Sequence, residues 1–258
     1  MERLISEVLF KDNDILVVSK PAGMIVNNAD SSREVYTLQD YVLENSQFSI
    51  FPPASQTRAL RAGNSQLNKD SDFYKRGGIV HRLDKETSGA IIIARNEESF
   101  NNLQLQFKEH RINKTYTALC HGKLVSEGEI NVPIGRLPWN RMRFGVLPQG
   151  REAYTKFKVL KLLSLKTGKK PEALSLVEVY PKSGRTHQIR VHFQYVGFPI
   201  FADHLYSGRK IYANDKKYLN RHFLHASKIT FHHPKTNEKM TIEAPLSPEL
   251  VDFLSKLT

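Results

Sequence analysis

The stretch that decides the fold is Ile79 to Ala94, Ile-Val-His-Arg-Leu-Asp-Lys-Glu-Thr-Ser-Gly-Ala-Ile-Ile-Ile-Ala. An apolar pair, Ile79-Val80, and a continuous apolar run, Ala90 to Ala94, bracket nine residues of which seven are charged or hydrogen-bonding. Short apolar runs closed by glycine read as buried strands, so His81 to Gly89 is expected as a polar loop pinned between two of them. A loop held in that way presents a carboxylate accurately. Asp84 is that carboxylate, with Arg82 two positions before it and Lys85 beside it to favour the ionised form. On spacing alone, a turn aspartate bonded to its own backbone is the commoner use of such a residue, and that reading stays open at this point.

Towards the N-terminus, Val8-Leu9-Phe10, the turn-like Lys11 to Asp14 and the apolar Ile15 to Val18 read as a hairpin, followed by a sharp bend at Ser19-Lys20-Pro21-Ala22-Gly23. Leu38, Tyr41 and Val42 share one helix face behind a Thr37 cap. Residues 48–76 are rich in Ser, Asn, Pro, Gly and Arg without a sustained period, which suggests a surface loop or insertion; its Arg58, Arg61 and Lys69 read as solvated charges. Beyond the central stretch, Asn96 caps a helix with Phe100, Leu103 and Phe107 on its core face, ending in the basic run His110 to Lys114. Lys114 to His121 alternates as a strand with Tyr116, Ala118 and Cys120 on one face.

Arg136, Trp139, Arg141, Arg143, Phe144 and Arg151 are interleaved among prolines and glycines, as looped RNA requires: guanidinium groups meet phosphates and rings stack on bases. A solvated hairpin tip has the same composition. Ala153 to Leu163 and Ala173 to Tyr180 read as an antiparallel hairpin around the Lys166 to Lys170 turn. Thr186 is placed to cap a helix burying Ile189, Phe193 and Val196, with Arg190 in its first turn. Phe223 to Phe231 is a late strand, and Ser247-Pro248 opens a last helix docked by Leu250, Val251 and Leu254.

At 258 residues the chain has room for one large domain or two modest subdomains. A formal charge of +12, from 38 basic and 26 acidic residues, gives it a surface that attracts polyanions. The single cysteine, Cys120, excludes an intramolecular disulfide, and no apolar run exceeds about five residues, so neither a signal peptide nor a membrane span is expected and the protein is expected to be cytoplasmic. The ten histidines include no His-Glu-x-x-His and only loose pairs such as His187 with His192 and His222 with His225, so no metal is expected. Phosphate-loop, dinucleotide-binding and Gly-x-Ser-x-Gly motifs are all missing.

His81-Arg82-Leu83-Asp84 resembles the signature loop of the RluA-type pseudouridine synthases. Four further segments resemble that family's motifs in order: Ser19 to Gly23, Lys114-Thr115-Tyr116, Ser183 to His192, and Leu224-His225-Ala226. Pro138 to Arg141 is similar to its RNA-contacting loop, and the likeness extends from about Val8 to Pro245. The resemblance implies an α+β fold: a mixed, mainly antiparallel sheet in two subdomains flanked by helices, with the catalytic cleft between them. It implies one catalytic domain over 1–258, without the N-terminal S4-type domain of some relatives. It implies isomerisation of uridine to pseudouridine in RNA, ribosomal RNA before tRNA, with no cofactor, no membrane and no obligatory protein partner.

By the same resemblance Asp84 starts the reaction, Tyr116 lies against the base, and Arg190 rather than Arg185 pairs with the aspartate. Leu224 lines the pocket, Arg82 fills the space left by the extruded nucleotide, and His81, Arg185, Arg141 and Arg143 contact substrate. Three positions depart from the pattern: Ser19 stands for Asn, Val26-Asn27-Asn28 for Val-His-Pro, and Ala202, in Pro199 to Asp203, for Gly. The competing reading is a catalytically silent RNA-binding protein or RNA-folding chaperone.

Overall fold

The computed structural model describes residues 7–27, 35–44, 71–167 and 170–258. The expected 48–76 insertion, with Arg58, Arg61 and Lys69, lies outside them as far as residue 70. The chain forms two compact units. One comprises Met1–Lys85, Ala90–Ile112 and Thr230–Glu243; the other comprises Glu86–Gly89, Asn113–Ile229 and Ala244–Thr258.

In the first unit, β1 (Glu7–Lys11) and β2 (Ile15–Lys20) make the expected antiparallel hairpin. Its turn is set by Asp12, whose Oδ1 accepts from the backbone N–H groups of Asp14 and Ile15, both at 2.8 Å. β3 (Ser88–Ala94) lies beside β2, and Ile15 to Val18 and Ile91 to Ala94 are wholly buried. A strand covered on both faces has no polar side to alternate, which is why these read as continuous apolar runs. Ile79-Val80, expected as a second strand, makes only one antiparallel bridge, Ile79 to Ile93, because Gly77 and Gly78, both at positive φ, turn the chain immediately before it.

α1 (Leu38–Glu44) opens with a reciprocal cap. Thr37 Oγ1 accepts from the Asp40 N–H at 3.2 Å and Asp40 Oδ2 accepts from the Thr37 N–H at 2.9 Å. α2 (Asp72–Lys75) is a single turn whose buried Phe73 meets Phe100 of α3 (Glu97–Lys108) edge-on. Asn96 caps α3 by accepting from Ser99 N–H at 2.8 Å, as expected. The helix stops at Lys108, however, and His110 at φ 56° turns the chain, so the basic run 110–114 leads into a strand instead of ending the helix.

The second unit is built on β4 (Asn113–His121), β5 (Glu127–Asn131), β8 (Tyr154–Thr167), β9 (Lys170–Pro181) and the start of β10 (Leu224–His232). β4 pairs β9, β9 pairs β8 and β8 pairs β5, all antiparallel; β10 runs beside β4 and pairs in parallel with the first residues of β3, His225 opposite Ser88. A hairpin of β6 (Ile134–Leu137) and β7 (Asn140–Val146) stands apart as a two-stranded sheet, and β11 (Lys239–Glu243), of the first unit, pairs β10. The fold is thus α+β, mixed and mainly antiparallel.

Both faces of this second sheet are covered. Ala118 and Cys120 of β4 pack with Phe157, Val177 and Val179 against Ile189 and Phe193 of α4 (Gln188–Tyr195). Their neighbour Leu119 points the other way and packs with Leu163, Leu165 and Leu174 against Leu250 and Phe253 of α6 (Pro248–Ser255). β8 serves both cores with residues of the same parity. That is possible because the register shifts between Val159 and Lys161, and the one extra residue of this bulge turns the strand's inward side to the opposite face.

Two helix expectations are corrected. The residue before α4 that acts as its cap is His187 at φ 57°, not Thr186, and Val196 falls at the helix end, exposed. In α6 the docking residues are Leu250 and Phe253, with Leu254 partly covered; Val251 faces solvent. α5 (Arg209–Asp215) completes the helices of the described residues. None of them is long and apolar enough to cross a membrane.

Candidate active site

Asp84 is half-buried in an irregular segment that turns at Lys85-Glu86. In the first unit, the carbonyl of Lys85 accepts from the Gly23 N–H at 2.9 Å and from Lys20 Nζ at 3.1 Å. The Lys20 ammonium, wholly buried, also donates to the carbonyls of Pro21 and Met24 at 2.8 Å. Buried charge is costly unless its donors are used, and here carbonyl oxygens fill the three donors of the ammonium. The bend after β2 is therefore fastened to the residue following Asp84. His81 fastens the preceding side: its Nε2 accepts from the Ile92 N–H at 2.9 Å while its ring lies on Phe107. The sequence reading placed His81 against substrate; the structure gives it an anchoring bond to β3, which requires the imidazole proton on Nδ1. Arg82 is exposed and makes no ion pair among the described residues.

The downstream arm, Glu86 to Gly89, belongs to the second unit and is held as firmly there. Arg221, buried, donates to the Glu86 carbonyl at 3.1 Å and to Ser88 Oγ at 3.0 Å, and pairs with Glu249 at 2.8 Å. Thr87 Oγ1 bonds His222 Nε2 at 2.9 Å and Ser88 Oγ bonds His225 Nδ1 at 2.8 Å. Gly89, at φ +114°, comes so close to β10 that a Cβ would lie 2.3 Å from the Ala226 carbonyl oxygen. Every step from Lys85 to Gly89 is thus tied to a named partner.

Elsewhere in the second unit, Tyr116 and Leu224 lie on the same apolar cluster as Ile189. Next to Ile189 in sequence, Arg190 is clamped by Asp203 in a bidentate pair, Nε to Oδ2 at 2.7 Å and an Nη to Oδ1 at 2.9 Å. Burial pushes the Asp203 carboxyl up, but the Arg190 guanidinium outweighs it and holds the carboxyl below its usual range. Asp203 Oδ1 also accepts from the N–H groups of Leu205 and Tyr206. The Tyr206 ring lies under two guanidinium groups, Arg190 at 5.0 Å and Arg143 at 5.2 Å, and its hydroxyl accepts from the Phe144 N–H and bonds His187 Nδ1. Tyr206 thereby joins β7 to the Arg190 helix.

Arg143 is packed on that ring, and Arg141 is exposed at the far end of the hairpin. Leu137 pairs with Asn140, so Pro138-Trp139 is the two-residue tip, with Trp139 76% and Met142 77% exposed. Arg185 donates through Nε to the Glu152 carbonyl at 3.0 Å. Asn27, one of the departures, reaches Gln39 Oε1 at 3.4 Å. Asp12, Asp14 and His233 come within metal-ligand distance of one another, but Asp12 and His233 already bond at 2.8 Å and Asp14 accepts from Asn96 at 3.0 Å, so hydrogen bonds explain the cluster. Sequence reasoning missed Lys20, Asp203, Tyr206 and Arg221 as supports. Only Lys20 and Asp203 lay in segments already singled out, and ion pairs between distant positions leave no local pattern.

The chain is thus fastened on both sides of Asp84, and its formal charge of +12 suits it to a polyanion. Comparison with known proteins supplies the family: the sequence pattern of the RNA pseudouridylate synthase family matches residues 14–195. The chain is 33% identical over 266 residues to ribosomal large subunit pseudouridine synthase D of Buchnera aphidicola, covering 99% of this chain and 75% of that protein. It is likewise 33% identical to ribosomal large subunit pseudouridine synthase C of Vibrio vulnificus, covering 97% of this chain and 69% of that one. Human RNA pseudouridylate synthase domain containing 1 superposes with a TM-score of 0.67 at 25% identity, covering 97% of this chain and 88% of the other. The chain belongs to the RluA-type RNA pseudouridine synthase family and is an isomerase that acts on RNA.

Proposed function

We propose that this cytoplasmic enzyme converts specific uridines of structured ribosomal RNA, in preference to tRNA, into pseudouridine, with Asp84 as the residue that starts the reaction. The observation that carries the reading is the fastening of the Asp84 loop on both sides, by Lys20, Gly23 and His81 before the turn and by Arg221, His222 and His225 after it. A loop whose only task is to turn needs no such support, whereas a reacting carboxylate must be held to within about half an ångström. The choice of ribosomal RNA follows from the names of the similar proteins.

The reaction breaks the bond between ribose C1′ and uracil N1, turns the base and joins C5 to C1′; C5 releases its proton and N1 takes one up. Electrons balance without a redox partner, so the reading calls for no cofactor. Asp84 acts at the sugar or the base, and Arg190, fixed by Asp203, supplies the positive charge an ionised carboxylate needs. Tyr116 lies against the uracil and Leu224 lines its pocket.

The base must first leave its stack, which costs a few kcal/mol. Arg82, which makes no ion pair among the described residues, fills the gap it leaves. Arg141, Arg143 and Arg185 meet phosphates; a buried Arg143 Nε still lacking an acceptor supports this. Incubation with C5-tritiated, unmodified ribosomal RNA and tRNA in separate reactions tests the assignment. Release from ribosomal RNA is expected. Release from tRNA alone would overturn the substrate choice, and release from neither, with RNA still bound, would favour the chaperone reading.

A further inference from the structure

We propose that Lys114 and Arg185, with Arg151 beside them, form a seat for one backbone phosphate of the RNA strand, one same-face strand step from Tyr116. The inference rests on the reading of Tyr116 as the residue beneath the target base. Lys114 is the second residue of β4 and shares the face of Tyr116, Ala118 and Cys120, so two residues of strand, about 7 Å, separate it from Tyr116. That is the scale on which a nucleotide's phosphate lies from its base.

Three observations point to an anion from outside. First, the partly buried Lys114 Nζ meets a carbonyl and no carboxylate, donating to Ser183 O at 3.1 Å. Arg185 is held in the same way, by the Glu152 carbonyl through Nε, and neither cation forms an ion pair among the described residues. Arg151 adds like charge to Arg185, and among the described residues the carboxylate acting on Arg185 is that of the exposed Glu152. Second, the cations sit on a rigid frame. Gln188 Oε1 accepts from Ser183 Oγ at 2.8 Å and from the Arg185 N–H at 3.0 Å, while its Nε2 donates to Tyr154 O and Thr155 Oγ1 at 3.0 Å.

Third, the ammonium lies at an opening. Gly184 has no side chain to cover it, and a Cβ there would meet only Lys114 Nζ, at 3.7 Å. Burial and then the charge of Arg185 bring the Lys114 ammonium down to about 8. Cations held together with only the exposed Glu152 carboxylate as counter-charge repel one another, and a bound phosphate reverses that effect through charge-assisted hydrogen bonds.

The test measures binding of a fluorescent single-stranded oligouridylate to the full chain as a function of salt, for wild type, Lys114→Gln, Lys114→Arg and Arg185→Gln, with the melting temperature of each. One phosphate contact on a single strand contributes about 0.7 to the slope of log K against log salt. Lys114→Gln and Arg185→Gln are each expected to lower that slope by about this amount, and Lys114→Arg to keep it. In tritium release, KM rises for the Gln variants while kcat changes little. An unchanged slope in both Gln variants overturns the proposal. So does a Lys114→Arg variant that loses slope and melting temperature as Lys114→Gln does, since Lys114 would then serve packing alone. If wild type binds but releases no tritium, the reading of the reaction fails while the slopes still decide the phosphate seat.

Discussion

Arg190 and Asp203 face each other where water does not reach, 3% and 0% exposed. Desolvating both charges is expensive, so the geometry has to be good; the pair is bidentate, and Asp203 takes two backbone N–H groups besides. Asp203→Asn removes the charge of the bidentate partner of the guanidinium. Removing one partner of a buried pair costs about 3–5 kcal/mol, and we expect a melting temperature lower by several degrees with tritium release reduced at least tenfold. An unchanged rate would mean that Arg190 needs no support for the reaction. The neighbouring Ala202 shows what the sequence could and could not say. Its departure from glycine was visible, but its φ of 58° was not; it sits in the left-handed region, where glycine is comfortable, and holds there with its N–H on Asp215 Oδ2 at 2.9 Å. Asp203 was visible as part of a motif segment, whereas its partner, 13 positions away, was not.

Strands and helices were legible where one period described one environment. The buried runs of β2 and β3, the Thr37 and Asn96 caps and the β8–β9 hairpin all follow from local pattern. Two features escaped it for physical reasons. The bulge after Val159 moves β8 from one core to the other while the apolar residues keep their alternation, so nothing in the periodicity marks the change. His187 caps α4 through a left-handed backbone that no side-chain preference announces. Gly89 was read as closing the loop, and its reason is now clear: β10 passes too close for any side chain. Gly89→Ala puts a Cβ 2.3 Å from the Ala226 carbonyl oxygen. We expect this variant to lose more than about 3 kcal/mol in urea unfolding, and a loss below about 1 kcal/mol would show that β3 and β10 can separate freely.

For the whole molecule, two histidines of the second unit set opposite pH dependences. Burial holds the His192 imidazole, bonded to Thr155 Oγ1 and Val132 O, down to about 4. Its folded value lies below the ordinary 6.5, so the unfolded chain takes up a proton first and stability falls as pH drops from about 6.5 towards 4. His121 is the reverse. Burial lowers it, but Asp215 and Glu172, at 3.0 and 2.6 Å, outweigh that and leave it raised. Its contribution is full below about 6.5 and disappears as pH rises through the folded value. Urea midpoints should therefore fall less between pH 7 and 5 in His192→Gln than in wild type. The advantage of wild type over His121→Gln should be larger at pH 6 than at pH 8. Equal pH profiles in all three proteins would remove both histidines from the account.

Asp84, on its fastened loop, is the residue proposed to perform the isomerisation. The most direct test of that role is tritium release from C5-labelled ribosomal RNA by wild type and by Asp84→Asn at matched RNA occupancy and matched melting temperature. Release by wild type and none above background by the variant is expected, with RNA bound equally by both. Release by Asp84→Asn at a rate comparable to wild type would contradict that role.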